Sequence, residues 1–103
     1  MTSDTISANI IEKLREVYDP EISINIYDLG LIYNIDVSLL PKVTITHTLT
    51  SAFCPAADYI VDEIRAAALI VDGVTECDVI TTFIPEFGPD MMSEDAKLQL
   101  GFY

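Results

Sequence analysis

From Val43 the chain alternates strictly to Thr50, with Val43, Ile45, His47 and Leu49 on one side and Thr44, Thr46, Thr48 and Thr50 on the other. Within a few residues the period changes to that of a helix. From Pro55 to Asp72 the positions Ala57, Ile60, Val61, Ile64, Ala67, Ala68 and Val71 form one apolar stripe, and Gly73 is placed to stop it. Val74 to Ile84 then returns to alternation, with Thr75, Cys77, Val79, Thr81 and Phe83 on one side. Strand, helix and strand joined in that order run parallel when the two strands are neighbours in one sheet. This switch of period restricts the fold more than any other feature.

Other elements complete the pattern. Ile6, Ile10, Leu14 and Val17 recur at helical spacing after Asp4 or Thr5 as cap, and Pro20 forbids continuation, so a first helix is predicted to end near Tyr18. Leu31 to Val37 is rich in β-formers, and Leu39 to Lys42 is a turn containing Pro41, so this segment and Val43 to Thr50 form a hairpin. A short last helix is predicted from Ser93, a good cap, with Glu94 and Asp95 in its first turn. No repeat or Pro-, Gly- or Ser-rich linker interrupts the chain. The expectation is therefore one α+β domain spanning residues 1–103, a small sandwich of order α-β-β-α-β-α with helices packed on a short mixed sheet.

Charge narrows the partners. The chain has 5 basic against 17 acidic residues, a formal net charge of −12, which repels nucleic-acid phosphates and anionic lipid surfaces. No apolar run approaches the roughly 20 residues of a membrane span, and the first residues have neither a basic region nor a signal-like stretch. A cytoplasmic protein is expected, with no nucleic acid and no membrane among its partners. Some of the scattered carboxylates serve solubility alone.

The chemically informative segment is Thr48-Leu49-Thr50-Ser51-Ala52-Phe53-Cys54-Pro55. Pro55 suits the first helical position, which puts Cys54 at the cap, facing free backbone N–H groups and the positive end of the helix dipole. A thiol so placed has its pKa lowered from about 8.5 into the range of roughly 3.5 to 7.5, and the thiolate is what attacks electrophiles or binds metal. The bland reading is an inert buried thiol. Cys77, on an alternating strand, reads as a small hydrophobe. A cytoplasmic chain of this size needs no disulfide between the two. His47, the single histidine, lies on the apolar strand face; a direct bond to Cys54 would require the loop to fold back, so it reads as a packed residue rather than a base.

Periodicity leaves three loops unexplained: Asp19 to Tyr33, the Cys54 turn, and Pro85 to Ser93. Singly they are ordinary, since Asp28 can cap the turn at Gly30 and Met91-Met92 can fill core. Together, Asp19-Pro20-Glu21, Asn25-Ile26, Asp28-Leu29-Gly30-Leu31-Ile32-Tyr33, Thr48-Leu49-Thr50-Ser51 with Cys54-Pro55, and Asp90-Met91-Met92-Ser93-Glu94 with Ala96-Lys97 resemble the metal-sulfur cluster biosynthetic family of SufT-like and PaaD-like proteins, related to the eukaryotic cytosolic iron-sulfur targeting factors. The resemblance runs nearly the length of the chain. Ala52-Phe53 and Phe87 depart from it, where the family often has a proline with a small residue and a tryptophan.

The resemblance implies a role in iron-sulfur cluster assembly or delivery of the SUF type, as a transient carrier or target adaptor. It implies Cys54 as the metal-binding thiol, with Asp19, Glu21, Asp28, Thr50 and Ser51 binding metal or partner. The three carboxylates are expected close to the Cys54 turn. Clusters are normally held by a full set of ligands, mostly thiolates, and one chain offers one good thiol. Iron or a cluster would be incompletely ligated by one chain, so a second chain in a homodimer, a partner protein or a small thiol completes the shell. The expected partners are assembly proteins and target apoproteins. The alternative is a thiol-dependent transferase or oxidoreductase with Cys54 as nucleophile, although no Cys-x-x-Cys pair or Gly-rich phosphate loop accompanies it.

Overall fold

The computed structural model describes residues 3–19, 24–49, 57–84, 88 and 91–100. Helix α1 spans Ser3–Leu14, strand β1 Ile32–Leu39, β2 Lys42–His47, helix α2 Ala57–Leu69, β3 Glu76–Thr81 and α3 Glu94–Leu100. The sheet order is β1-β2-β3, with β1 antiparallel to β2 and β2 parallel to β3. This is the expected α+β order and the expected mixed sheet.

Alternation in β2 sorts the layers. Val43, Ile45 and His47 are fully buried, whereas Thr44 and Thr46 between them are half-buried. Helices α1 and α2 cover the buried face and pack on each other, α1 toward β1 and α2 toward β3. Ile6, Ile10 and Leu14 of α1 and Ile60, Ile64 and Ala68 of α2 supply the core, each large side chain contributing about 1.5 to 3 kcal/mol by leaving water. The opposite face is polar: Asp36, Thr44 and Asp78 lie side by side, and Asn34, Thr46 and Ile80 form the next row.

Element ends depart from the expectation for identifiable reasons. α1 begins at Ser3, so Asp4 and Thr5 lie inside its first turn, and it ends at Leu14 rather than near Tyr18. The amides of Glu16 and Val17 bond three residues back, to Lys13 and Leu14, tightening the exit. Val17 still lands in the core, which is why the helical spacing persists in the sequence; its carbonyl then accepts the Ile26 amide at 2.9 Å. β2 stops at His47 because the Thr48 amide turns to the Leu31 carbonyl, 2.8 Å away. β3 is shorter than Val74–Ile84: the Val74 amide closes a turn on Val71, and Phe83, expected beside Cys77, is 45% exposed past the strand end. Gly73, at φ +95°, stops the α2 segment as expected. Ser93 caps α3, accepting the Ala96 amide on its hydroxyl at 3.2 Å.

Candidate functional site

Ile32 of β1, His47 of β2 and Thr81 of β3 are neighbours across the sheet, so one row defines one end of the molecule. The described parts of the first and third loops, Asn25–Leu31 and Met91–Ser93, meet there. In the turn Asn25–Leu31 the Asn25 side chain accepts the Asp28 amide and donates to the Asp28 carboxylate, both at 2.8 Å. Asp28 also has Arg15 3.8 Å away, and Arg15 lies over the Tyr27 ring at 5.2 Å from its centre. Gly30 has φ +86°, and a Cβ there would collide with the Met91 carbonyl. The Asp28 carbonyl accepts the Ser93 amide at 2.8 Å, and the Tyr33 hydroxyl donates to the Met91 sulfur at 3.4 Å. The Asn25–Tyr33 and Met91–Ser93 segments are thus one packed unit.

A groove of about 490 Å³ runs between them, lined by Arg15, Tyr27, Asp28, Ile32, Met91 and Ser93 among others. Its walls combine a guanidinium, a carboxylate, an aromatic ring and a thioether. Arg15 and Tyr27 were not singled out in the sequence, since a cation in the last turn of a helix is ordinary. Their signal is visible only once α1 is set against the Asp28 turn.

Asp19 and Asp28 both fall on the described part of this loop. Asp19 is buried, its amide bonded to the Ile24 carbonyl at 3.3 Å. Asp28 has the turn and ion-pair partners just given. The sequence-predicted residues Glu21, Thr50, Ser51 and Cys54 lie outside the described residues. Among the described residues no group of three His, Cys, Asp or Glu side chains could hold a metal ion.

His47 is a packed residue, as expected. Its Nδ1 lies 3.1 Å from the Thr48 carbonyl and its Nε2 2.8 Å from the Thr81 hydroxyl. A carbonyl only accepts, so Nδ1 carries the proton and Nε2 of the neutral ring accepts from Thr81. Burial holds its pKa below the ordinary histidine value, with the Thr48 bond opposing more weakly. Both ring nitrogens are engaged, so the ring has no lone pair free to act as a base. Cys77 is buried opposite Val43, and burial pushes its thiol pKa up, against a smaller lowering by Arg65. Cys77 is the small buried hydrophobe expected on this strand. No helix of the described residues is long and apolar enough to cross a membrane.

Residues 7–79 match the model of a family described as iron-sulfur cluster assembly protein. A Porphyromonas gingivalis protein named Fe-S protein maturation auxiliary factor is 53% identical over 94 residues, which cover 91% of this chain and 90% of the relative. The Fe-S protein maturation auxiliary factor SufT of Staphylococcus aureus is 35% identical over 82% of this chain and 97% of its own length. Among solved structures, a domain of unknown function from Bacillus anthracis superimposes with a TM-score of 0.89 at 31% identity, covering 97% of this chain and 95% of that one.

Proposed function

The chain belongs to the iron-sulfur cluster assembly protein family, SufT-like members included, and on that premise we propose that it is an auxiliary factor in the maturation of iron-sulfur proteins. The observation that carries this reading is the 53% identity over 91% of the chain to a protein named as such a factor. The fold supports it by gathering the Asp28 turn, the Met91–Ser93 loop and the ends of β2 and β3 at one end of the sheet.

Within that role Cys54 is the working thiol. Iron or a cluster is cargo, held in passing by the Cys54 thiolate and completed by a second chain, an assembly protein or a small thiol, because Cys77 is buried on the sheet and offers no second ligand. An incomplete shell lowers the barrier to handing metal on. Asp19, Glu21, Asp28, Thr50 and Ser51 serve metal or partner binding around it, and the partners are assembly proteins and target apoproteins in the cytoplasm. His47, with both nitrogens engaged, disfavours the thiol-enzyme alternative in which it would activate Cys54.

The test is activation of an iron-sulfur apoenzyme by a cluster-loaded scaffold, with and without this chain. The wild-type chain and Cys77→Ser should accelerate recovery of activity, whereas Cys54→Ser should not, at nearly unchanged thermal stability because serine is itself a good cap. Acceleration by Cys54→Ser would leave an adaptor without a carrier thiol; absence of any effect by the wild type would sink the maturation role.

A further inference from the structure

The two edges of the sheet are treated differently. The β1 edge is irregular, with register shifts between Ile32 and Asn34 and again between Asp36 and Leu39, and it carries Asp36. Bulges and charges of this kind prevent an edge from pairing with another chain. β3 has no such device in its upper half. Its register against β2 is regular from Glu76 to Thr81, and the run Val79 to Ile84 has no charge, proline or glycine. Among the described residues nothing pairs with its outer edge.

The direction of its free groups follows from the ladder. The Thr82 amide donates to the His47 carbonyl at 2.9 Å. In a parallel pair alternate residues face the same neighbour, so the even positions 76 to 82 bond to β2, and Cys77, Val79 and Thr81 turn their amides and carbonyls outward. Beside them Ile80 is 49% exposed, Phe83 45% and Ile84 84%. Ile84 is held in place: its amide donates to the Thr82 hydroxyl and its carbonyl accepts from it, each at 3.3 Å.

We propose that the β3 edge is a docking strand for an extended segment of a client protein, apolar and β-branched where it meets Ile80 to Ile84 and basic where it meets Glu76 and Asp78. The proposal rests on the maturation reading only in naming the occupant a client. Charge selects that occupant. Lys42 neutralises one of the two lower carboxylates, being 3.0 Å from Asp78, and the site stays acidic on a chain of net charge −12. A second copy would bring another chain of net charge −12 beside this one, whereas a basic strand is attracted. The apolar half lies at the end of the sheet where the Asp28 and Met91 loops converge, so a client on this strand is delivered to the proposed site.

Hydrogen exchange and amide chemical shifts of the isotope-labelled chain test this, with a short synthetic peptide as probe, lysine-rich in one half and valine- and isoleucine-rich in the other. In the free chain the amides of Cys77, Val79 and Thr81 should exchange fast while Ile80 and Thr82 are protected. The peptide should protect the first three. A peptide with glutamates for lysines should bind roughly tenfold more weakly, and Ile80→Lys should weaken the original to a similar degree. Ile84→Lys, beyond the ladder at a side chain 84% exposed, should weaken it as well, whereas Cys54→Ser should leave it unchanged, which separates this surface from the thiol. Protection of the three amides in the free chain, shifts confined to α1 and α2 instead, equal binding of the glutamate peptide, dimerisation through β3, or no binding at millimolar peptide would each overturn the proposal. A chain that binds the peptide but supports no maturation loses the iron-sulfur role and keeps the edge.

Discussion

Asp28 and Asp36 begin from the same local chemistry and end in different places. Asp36 accepts the Ser38 amide at 2.9 Å and the Ser38 hydroxyl at 2.6 Å, both from two residues away. Asp28 has an equally local arrangement with Asn25, but its carbonyl is bonded to Ser93, its carboxylate faces Arg15, and Gly30 two residues on abuts Met91. The Asp36 arrangement, inside β1, is complete within a few residues. The other is half of a structure whose second half is about sixty residues away in sequence. Residue type does not make a turn part of a site; what packs onto it from elsewhere does.

Gly30→Ala strikes this difference hardest. It forces a side chain into a positive-φ position and against the Met91 backbone, for an expected loss of about 3 kcal/mol or more in denaturant unfolding. A loss below about 1 kcal/mol would mean that the two loops part freely. Asn25→Ala comes next, removing both bonds to Asp28 at an expected cost of about 1 to 2 kcal/mol. If stability is unchanged, the Ser93 and Met91 contacts alone hold the turn.

The two regions also read pH in different windows. His47, at the converging end, has a lowered native pKa, so the unfolded chain takes up a proton before the native one does. Stability is complete above the ordinary histidine pKa of about 6.5 and falls as pH drops through that value toward the native one. His47→Gln should flatten unfolding free energy measured across this range; an unaltered slope would place its source elsewhere. Asp36 is the smallest case. Its pKa is lowered, first by the Ser38 hydroxyl and then by the Ser38 amide, so its contribution is present above about 3.9 and lost below. Asp36→Ala should leave the melting temperature unchanged within error, and Ser38→Ala should raise the Asp36 pKa in an NMR titration. A clear drop in melting temperature for Asp36→Ala would erase the contrast with Asp28.

The order of elements, the buried faces of β2 and α2, the Ser93 cap and the Gly73 stop are all legible in the chain, because each depends on periodicity or on residues within one turn. The end of α1 is not. Val17 keeps helical spacing with Leu14 and reaches the core by a tightened turn, and its bond to Ile26 is invisible to any local window. Arg15 is illegible for the same reason: its place beside Asp28 depends on where the Asn25–Leu31 turn is laid against α1. Of the site residues expected, Asp19 and Asp28 are placed, while Glu21, Thr50, Ser51 and Cys54 lie outside the described residues.

What the amino-acid sequence determined by itself was the succession of helices and strands, the parallel crossover, the acidic character and the motif set that marks the family, since these follow from short-range periodicity, composition and fixed covalent order. What only the tertiary structure decided was which loops meet, which aspartate is tied to a distant chain segment, the tautomer of His47, and which sheet edge is left open among the described residues. Those depend on contacts between residues far apart in the chain, where a hydrogen bond or a missing Cβ has meaning only once its partner has been brought beside it.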